Sequence, residues 1–466
     1  MSTIAQLLGE CAFSVTQKGM SDEMRREASR RVLDVVGNSI AAREIPAAQI
    51  VKKIVLSWGG APDALAIGSS KMPAASAALL NGTLAHSLDF DDTHLPSVLH
   101  PSASVIAAAL AVGSKLHSQP TDVLDAITVG IEVTCRLGMA GFDRELGNSV
   151  FFERGFHATS ICGTLGAATA AAMLMKLSPE QITSAIGIAS SMGAGLLEAN
   201  RTGGTVKKMH CGWAAHGGVV AAELAQAGLT GPPTVIEGRF GFMQAYCGDQ
   251  VNLHEITENL GTSWVLPDLF FKPYPCNHFT HAGIDAAKNM VAKGVTPEQI
   301  ESLLLSVPSP VIRTIGEPRE SKIKPESGYH AAFSGPFTVA AAFYRDNGLG
   351  LFHEDFDDSS AKDPLILELA AKVRVEASAE CDAIYPYQLP AILTATLKDG
   401  STVTEKVLVN RGGPQNPLTD AELALKFESN VSGLFDRGRA QDVAQIIFNF
   451  ASNKSTLGEL EHILNS

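Results

Sequence analysis

Charged side chains are scarce in this sequence, and those present are mostly acidic. Asp, Glu, Lys and Arg make up 18% of the 466 residues, and the net charge is −13. A protein that binds nucleic acid in general needs a basic face to neutralise phosphates, so the composition argues against that class of function. An anionic ligand would have to be bound by a local group of cations.

Paired cysteines are also lacking. The seven cysteines are spread along the chain without a CxxC pair or zinc-finger spacing, and such an odd, scattered set is typical of reduced thiols. The first ten residues contain no basic region followed by an apolar stretch, so we expect neither a signal peptide nor a transit peptide. Both observations predict a cytoplasmic protein.

Long, strongly apolar runs are missing as well. The uncharged segment Ala158–Met175 approaches transmembrane length, but Ala, Gly, Ser and Thr dominate it. Such a segment is too weakly apolar for lipid and favours a buried helix. We therefore expect no membrane-spanning segment.

A helical pattern occupies the first 260 or so residues. Small residues in several of these segments let helices approach closely, as at the centre of a bundle. The predicted helices are Asp22–Ala42, Pro73–Leu84, Pro101–Leu116, Asp122–Met139, Thr159–Met175, Pro179–Ala199 and Ala214–Ala227.

The pattern changes after about Pro267. Strand-like segments are Glu301–Val307, Lys372–Ala377, Ala391–Leu397 and Ser401–Val409, the last two flanking a hairpin turn at Lys398–Gly400. Helical character returns at Thr419–Phe427, where Thr419 and Glu422 match a capping box. We predict a mainly α protein: a large all-α domain built from both chain ends, residues 1–267 and 411–466, with a smaller inserted α+β lid domain at 268–410.

Ionisable side chains concentrate between residues 86 and 100. This segment contains His86, Asp89, Asp91, Asp92, His94 and His100. Because the neighbouring segments are almost uncharged, the cluster indicates a site. A divalent metal site is one interpretation, but the spacing matches no strong metal signature, and we predict none. Turn formation and helix capping by Asp91, Asp92 and Thr93 is the simpler alternative for those residues.

Three further groups carry suitable chemistry. His157 stands where an uncharged helix begins, and the helix dipole there favours a neutral imidazole near pH 7. Lys207 and Lys208 are adjacent lysines between apolar segments, and the segment from Lys272 to His281 combines a Pro-x-Pro turn with a lysine and two histidines. The alternatives are a buried structural histidine, solvated lysines and a hinge.

Together the four groups provide carboxylates and imidazoles for proton transfer and lysines for binding anions. The sequence contains no nucleophile elbow, P-loop or dinucleotide-binding glycine motif. A cleft between the two predicted domains is a usual place for a small-molecule site, and we expect these groups to furnish it.

These residues resemble the MmgE/PrpD family, which includes 2-methylcitrate dehydratases, cis-aconitate decarboxylases and iminodisuccinate epimerases. The resemblance covers nearly the whole chain. It rests on the segments His86–Thr93, His100–Ser102, Gly155–His157, Gly163–Gly166, Lys207–Ala215, Gly228–Pro232, Lys272–Pro275, Thr280–His281 and Asn416–Thr419.

The resemblance implies a helical domain with a lid-like α+β domain, a homodimer, and an enzyme that uses no organic cofactor or iron–sulfur cluster. The residues that it implies are catalytic are Asp89, His100, His157, Lys207 and Lys272. We further expect substrate binding by Thr93, Lys208, Tyr274 and His281.

The chemistry of such a family depends on removing a proton from a carbon atom next to a carboxylate. Removing a proton alpha to a carboxylate creates an enolate-like transition state, which requires nearby cations or donors in a dry cleft. Lys207 and Lys272 meet that need, His157 is the expected base or acid, and His100 with Asp89 is its counterpart. We expect a small anionic di- or tricarboxylate as the partner.

This set of residues is compatible with three reactions. The leading hypothesis is a hydro-lyase for a small hydroxylated di- or tricarboxylate, resembling 2-methylcitrate dehydratase. Epimerisation of a dicarboxylate is second and cis-aconitate-type decarboxylation is third, since Asn277 and Phe337 depart from the histidine and tyrosine of the decarboxylase branch. A carboxylate-binding homologue without activity is the alternative from another functional class.

Overall fold

The computed structural model describes residues 2–199 and 203–465. The chain divides into two compact units, Met1–Leu269 with Lys426–Ser466, and Phe270–Leu425. The prediction of a mainly α protein is confirmed. The limits of the predicted domains, at residues 267 and 410, remain predictions.

The first unit is built from helices, with one two-stranded hairpin of β1 (Phe142–Asp143) and β2 (Asn148–Ser149). The α-helices that the structure describes in full before residue 270 are α1 (Ile4–Lys18), α2 (Asp22–Ala41), α3 (Pro46–Trp58), α4 (Ala74–His86), α5 (Ser102–Lys115), α6 (Pro120–Ala140), α7 (Val150–Glu153), α8 (Ala158–Leu174), α9 (Pro179–Ala189), α10 (His210–Gln226), α11 (Phe242–Cys247) and α12 (His254–Thr257).

Helix α8 lies at the centre of this unit. Every residue from Ala158 to Leu174 is buried, as the weakly apolar, uncharged run predicts, and α8 packs against α5, α6 and α10. A Cβ on Gly166 would lie 2.3 Å from the carbonyl oxygen of Gly130, so α6 and α8 are in backbone contact. In the described part of the chain, no helix combines the length and apolarity that a bilayer crossing needs.

Helices α4 and α10 are equally close. A Cβ on Gly212 would meet the carbonyl oxygen of Leu79 at 2.2 Å, so these helices also need glycine at the crossing. This contact sets the end of α4 beside the start of α10. Functional residues that end one helix and precede the other therefore come together.

One predicted helix is too long. The pattern predicted Pro179–Ala199, whereas α9 ends at Ala189. The chain then turns through Gly193 and Gly195, and Gly195 has φ +153°, a conformation that α-helix excludes. The early end brings the carbonyl oxygen of Gly195 to the backbone N–H of His157, at 3.0 Å.

The second unit contains a four-stranded sheet in the order β4-β3-β5-β6. Its strands are β3 (Ile300–Val307), β4 (Val373–Ala377), β5 (Ala391–Leu397) and β6 (Thr402–Val407). β3 runs parallel to β4 and antiparallel to β5, and β5 and β6 form the predicted hairpin. Gly400 has φ +85° in its turn, where glycine is favoured.

Helices α13 and α17 pack on each other in this unit, and α13 also contacts β5 and β6. The helices of this part are α13 (His281–Ala292), α14 (Ile312–Ile315), α15 (Arg319–Ile323), α16 (Gly328–Ala331), α17 (Gly335–Tyr344), α18 (Pro364–Ala371) and α19 (Ala379–Asp382). The remaining helices are α20 (Asp420–Val431), α21 (Arg437–Phe448) and α22 (Leu457–Asn465).

The predicted capping box at the start of α20 is confirmed. The backbone N–H of Glu422 donates to Thr419 Oγ1 at 3.2 Å, and that of Thr419 donates to Glu422 Oε2 at 2.8 Å. Each satisfies a donor that the helix start would leave unpaired.

Candidate active site

The loop after α4 carries the acidic cluster in a constrained backbone. Asp89 has φ +53° and Val98 has φ +55°, and left-handed backbone is rare for residues other than glycine, above all for a β-branched one. In the same loop, His94 and Leu99 pair through their backbones. Such conformations persist only where the surroundings enforce them, and they are frequent at functional sites.

His86 and Asp91 form a buried pair inside this loop. Nδ1 of His86 lies 2.8 Å from Oδ2 of Asp91, and the two side chains are 1% and 0% exposed. Burial lowers the pKa of His86, but the negative charge of Asp91 opposes it and the pKa is raised to about 10. His86 is therefore an imidazolium at neutral pH, and Asp91 is its partner.

Asp92 has the predicted capping role. Its Oδ1 accepts from the backbone N–H of Ser102 at 3.3 Å, and its Oδ2 accepts from the Ser102 hydroxyl at 2.5 Å. Ser102 is the first residue of α5, so the carboxylate satisfies a donor at that helix start. Burial raises the pKa of Asp92 to about 6, although Arg31 opposes the rise.

A second buried ion pair supports the loop from behind. Nζ of Lys426 lies 2.6 Å from Oδ1 of Asp34, and both side chains are 1% exposed. The same ammonium donates to the carbonyl oxygen of Phe90 at 3.1 Å. Lys426 therefore holds the backbone directly between Asp89 and Asp91.

His100 is oriented by the loop itself. Its Nδ1 lies 2.7 Å from the carbonyl oxygen of Asp92 and 3.4 Å from Thr93 Oγ1. A carbonyl oxygen only accepts, so Nδ1 carries the proton and Nε2 is the acceptor nitrogen of the neutral ring. Nε2 lies 3.9 Å from Asp89 Oδ1. Both side chains are partly exposed, so they form the open side of the cluster.

His157 occupies the N-cap position of α8, and its ring faces that of His210. The Nδ1 atoms of the two rings are 3.0 Å apart. Burial lowers the pKa of His157 well below its usual value, and His86, Lys207, His210 and His100 lower it further. Burial also lowers the pKa of His210, to about 4. Both rings are thus neutral at pH 7, with burial as the main cause.

The two lysines precede α10 on a 3₁₀ turn, Val206–Met209. Nζ of Lys208 donates to the carbonyl oxygen of Ser87, at the end of α4. Burial lowers the pKa of Lys208, while the charge of Asp89 opposes the fall. Lys207 contributes positive charge at His157. The turn therefore brings positive charge to the end of α4 and to His157.

The first unit thus brings six of the predicted residues together: Asp89, Thr93, His100, His157, Lys207 and Lys208. Two histidines that the sequence-based assignment left out connect them. The ring centroid of His86 lies 5.6 Å from that of His100 and 5.5 Å from that of His157, and the centroid of His210 lies 5.0 Å from that of His157. Both belong to motifs already noted, His86 at the start of the acidic cluster and His210 beside the lysines.

The other three predicted residues belong to the second unit. Lys272, Tyr274 and His281 are all buried. The hydroxyl of Tyr274 donates to Asp285 Oδ1 at 2.5 Å and accepts from Arg411, and its ring packs edge-on against that of His281 at 5.2 Å. Their roles in substrate binding or catalysis remain predictions.

Asn277 and Phe337, which the sequence suggested as departures from the decarboxylase branch, also lie in the second unit. Asn277 caps a 3₁₀ turn, its Oδ1 accepting from the backbone N–H of Phe279 at 3.0 Å. Phe337 is fully buried in the hydrophobic core that lies on the sheet. Position 277 is thus occupied by a capping side chain and position 337 by a core side chain.

Three donors of the loop lie close enough to share a cation. Asp89, Asp91 and His100 each offer one ligand atom within 4.8 Å of the others. However, the carboxylate of Asp91 already balances the charge of His86, and a metal ion there would compete with that pair. We therefore assign no metal to this group.

Comparison with known proteins agrees with the motifs. Residues 6–254 match the MmgE/PrpD N-terminal domain, and residues 274–450 match the MmgE/PrpD C-terminal domain. The chain is 30% identical to cis-aconitate decarboxylase of Homo sapiens over 450 residues, 92% of this chain and 88% of that protein.

Two other relatives carry the same description. The chain is 31% identical to cis-aconitate decarboxylase of Mus musculus, with 81% of this chain and 76% of that protein covered. It is 24% identical to cis-aconitate decarboxylase of Aspergillus terreus, with 92% and 89% covered. With both family domains matched along the chain, this protein belongs to the MmgE/PrpD family.

Proposed function

We propose that this protein is a cofactor-independent lyase for a small di- or tricarboxylate. One observation carries the proposal: a neutral imidazole, His157, stands at the start of a buried helix with the cations His86 and Lys207 around it. A neutral base beside fixed positive charge is what proton transfer at a carbon next to a carboxylate requires.

His157 and His210 supply the proton-transfer group. Two neutral rings whose Nδ1 atoms are 3.0 Å apart share one proton, so one Nδ1 donates and the other accepts. We infer that His157 donates, because this leaves its Nε2 as the basic nitrogen. His210 then holds His157 in the tautomer that abstracts or returns a proton.

His100, Asp89 and Thr93 provide the counterpart. With Nδ1 of His100 turned to the Asp92 carbonyl, its Nε2 lies 3.9 Å from Asp89 Oδ1, and we assign it the relay of a proton on that side. The hydroxyl of Thr93, 3.4 Å from the same ring, is a hydrogen-bond donor for a substrate oxygen. Lys207 and Lys208 are the proposed anchors for substrate carboxylates.

Decarboxylation of cis-aconitate is the first reaction to test. The relatives with the printed name cis-aconitate decarboxylase support it, since the chain matches them along most of its length. In such a reaction the bond from carbon to one carboxylate breaks, carbon dioxide leaves, and an acid protonates the carbon framework. We assign the acid that this step needs to the His100 side of the site.

Dehydration of a hydroxylated tricarboxylate is the second candidate. It is favoured by the departures at Asn277 and Phe337, whose side chains serve as a cap and a core residue. Here His157 removes a proton alpha to a carboxylate and the His100 side protonates the departing hydroxyl, so that water and an alkene result.

The two reactions are separated by product analysis in deuterated buffer. The purified protein is given cis-aconitate, citrate, 2-methylcitrate and iminodisuccinate, and products are followed by NMR and carbon dioxide release. Carbon dioxide from cis-aconitate supports the first reaction, and alkene formation from a hydroxy acid supports the second. Deuterium in recovered substrate alone indicates an epimerase, and binding without turnover of any acid contradicts the lyase proposal.

We also propose a homodimer, with a second copy of the chain covering one apolar surface of the first unit. Exposed large side chains follow one face of α3 and continue onto its neighbours: Ile50, Ile54, Trp58, Val206 and Trp213. Trp58 and Trp213 both pack against the ring of His216, so the surface is continuous.

A surface of this kind, on the order of a few hundred Å², matches the apolar centre of a standard interface of about 800 Å² per partner. Light scattering tests it. Trp58→Glu should give monomers, whereas Phe240→Glu, at a side chain that is 91% exposed and contacts Arg239, should leave the dimer intact. A monomeric wild-type protein contradicts the proposal. The seven cysteines, all free thiols, support the proposed cytoplasmic location.

A further inference from the structure

His86 neighbours both of the histidines proposed as acid and base. Its ring centroid is 5.6 Å from that of His100 and 5.5 Å from that of His157. Asp91 holds it by Nδ1 at 2.8 Å, with both side chains buried. A ring bonded to a buried carboxylate is fixed in place, because leaving would strand an unpaired charge in the interior.

We propose that His86, held by Asp91, is a positioning residue of the active site, which fixes a cationic ring beside both His100 and His157 and adds to burial in keeping His157 in its neutral form. The consequence for catalysis rests on the proposed function. The consequence for His157 itself does not, since its protonation can be measured without any substrate.

The charges around the two rings support this arrangement. The groups facing His86 are Asp91 and His100 from the loop, His157 from the start of α8, and Cys211 from α10. Asp91 is the group that opposes burial most strongly and keeps His86 charged.

His157 faces a different set: His86, Lys207, His210 and His100. None of these four side chains carries a negative charge, and after burial His86 lowers the pKa of His157 most. His157 is therefore both dry and surrounded by groups that repel a proton. These surroundings make His157 a base that stays unprotonated when an anionic substrate binds.

The expected size of the effect follows from distance. A unit charge 5.5 Å away, at an effective dielectric constant of about 20, changes a pKa by about two units. Neutralising His86 should therefore raise the pH at which His157 takes up a proton by at least about one unit. The lower limit of the pH–activity profile should move upward by the same amount.

His86→Asn and Asp91→Asn test this proposal. Asparagine at 86 offers an amide N–H near the place of Nδ1, so Asp91 keeps a donor while the positive charge is lost. Asp91→Asn removes the carboxylate that keeps His86 charged, and so provides a second route if the first variant does not fold. His157 is followed by NMR of histidine-labelled protein during a pH titration, and kcat/KM is measured over the same range.

The matched control is His94→Asn. His94 is buried in the same loop and bonded to Ser97 at 2.7 Å, but burial lowers its pKa to about 3, so it carries no charge at neutral pH. This variant should lose stability without moving the titration of His157. Comparison with His86→Asn therefore distinguishes the effect of removing a buried histidine from the effect of removing a buried positive charge.

In the wild type, His157 should stay neutral down to the lowest pH at which the protein is folded. In His86→Asn or Asp91→Asn it should titrate at higher pH. The proposal is overturned if His157 titrates alike in the wild type and in both variants, or if His94→Asn shifts it equally. A shifted titration in a protein that turns over none of the acids leaves the positioning role standing and overturns the proposed lyase function.

Discussion

The Nδ1 atoms of His157 and His210 lie 3.0 Å apart, and both rings are buried. Two ring nitrogens at this distance share a single proton, because two N–H groups facing each other would repel. The tautomer of one ring therefore determines that of the other. We therefore propose that His210 belongs to the proton-transfer group and acts through His157.

Replacing His210 tests that coupling. His210→Ala removes the acceptor for the Nδ1 proton of His157, so the wrong tautomer becomes accessible and kcat should fall about 10²-fold, in the range of general acid–base effects. KM should change little, because the lysines remain. His210→Asn, which keeps an acceptor oxygen, should recover part of kcat. Equal loss in both variants, with KM raised as well, would contradict this role.

The His86–Asp91 pair predicts a pH dependence of stability. The pKa of His86 is raised to about 10 in the folded protein, above its usual 6.5. The stabilisation that the pair provides is therefore fully present below pH 6.5. That stabilisation is lost as pH rises from about 6.5 to 10. Urea unfolding should show the free energy of unfolding falling over this range by a few kcal/mol. Asp91→Asn should remove most of the difference, and an unchanged slope would count against the pair.

Lys426 predicts a large effect on stability. Lys426→Met leaves Asp34 as an unpaired buried carboxylate, and the free energy of unfolding should fall by about 3 to 5 kcal/mol. Lys406, whose ion pair with Glu380 is half exposed, is the matched control, and Lys406→Met should cost less than about 1 kcal/mol.

The double variant Lys426→Met with Asp34→Asn separates the two causes of that loss. It should recover much of the stability, because the buried charge is removed together with its partner. Recovery of stability without recovery of kcat would show that the bond from Lys426 to the Phe90 carbonyl also orients the loop. No recovery of either would contradict the account of the ion pair.

Metal removal provides a further prediction. Asp89, Asp91 and His100 are near enough to share a cation, but Asp91 is already paired with His86. Turnover measured after exhaustive dialysis against a chelator should therefore equal that of the untreated enzyme. Loss of turnover that added Mg²⁺ or Mn²⁺ restores would overturn this account.

Local features of the sequence predicted much of the fold. The uncharged run from Ala158 to Met175 became the buried helix α8, and the capping box at Thr419 formed as expected. The hairpin around Gly400 followed from its turn residues. These features depend on neighbours a few residues apart, which a sequence displays directly.

Features that depend on distant contacts could not be predicted. Asp91 and Asp92 are adjacent, yet one pairs with His86 and the other caps α5, and only the path of the loop decides which does which. Lys426 reaches Phe90 across 336 positions of the chain. The early end of α9 reflects the turn that places Gly195 beside His157.

The central claim is that His157 transfers a proton in a lyase reaction on a small polycarboxylate. The most direct measurement compares single-turnover product formation by the wild type, His157→Gln and His94→Gln on the acid that the wild type converts. His157→Gln should be slower by about 10²- to 10⁴-fold while still binding the acid, and His94→Gln should remain active. Product formation by His157→Gln at the wild-type rate would contradict the claim.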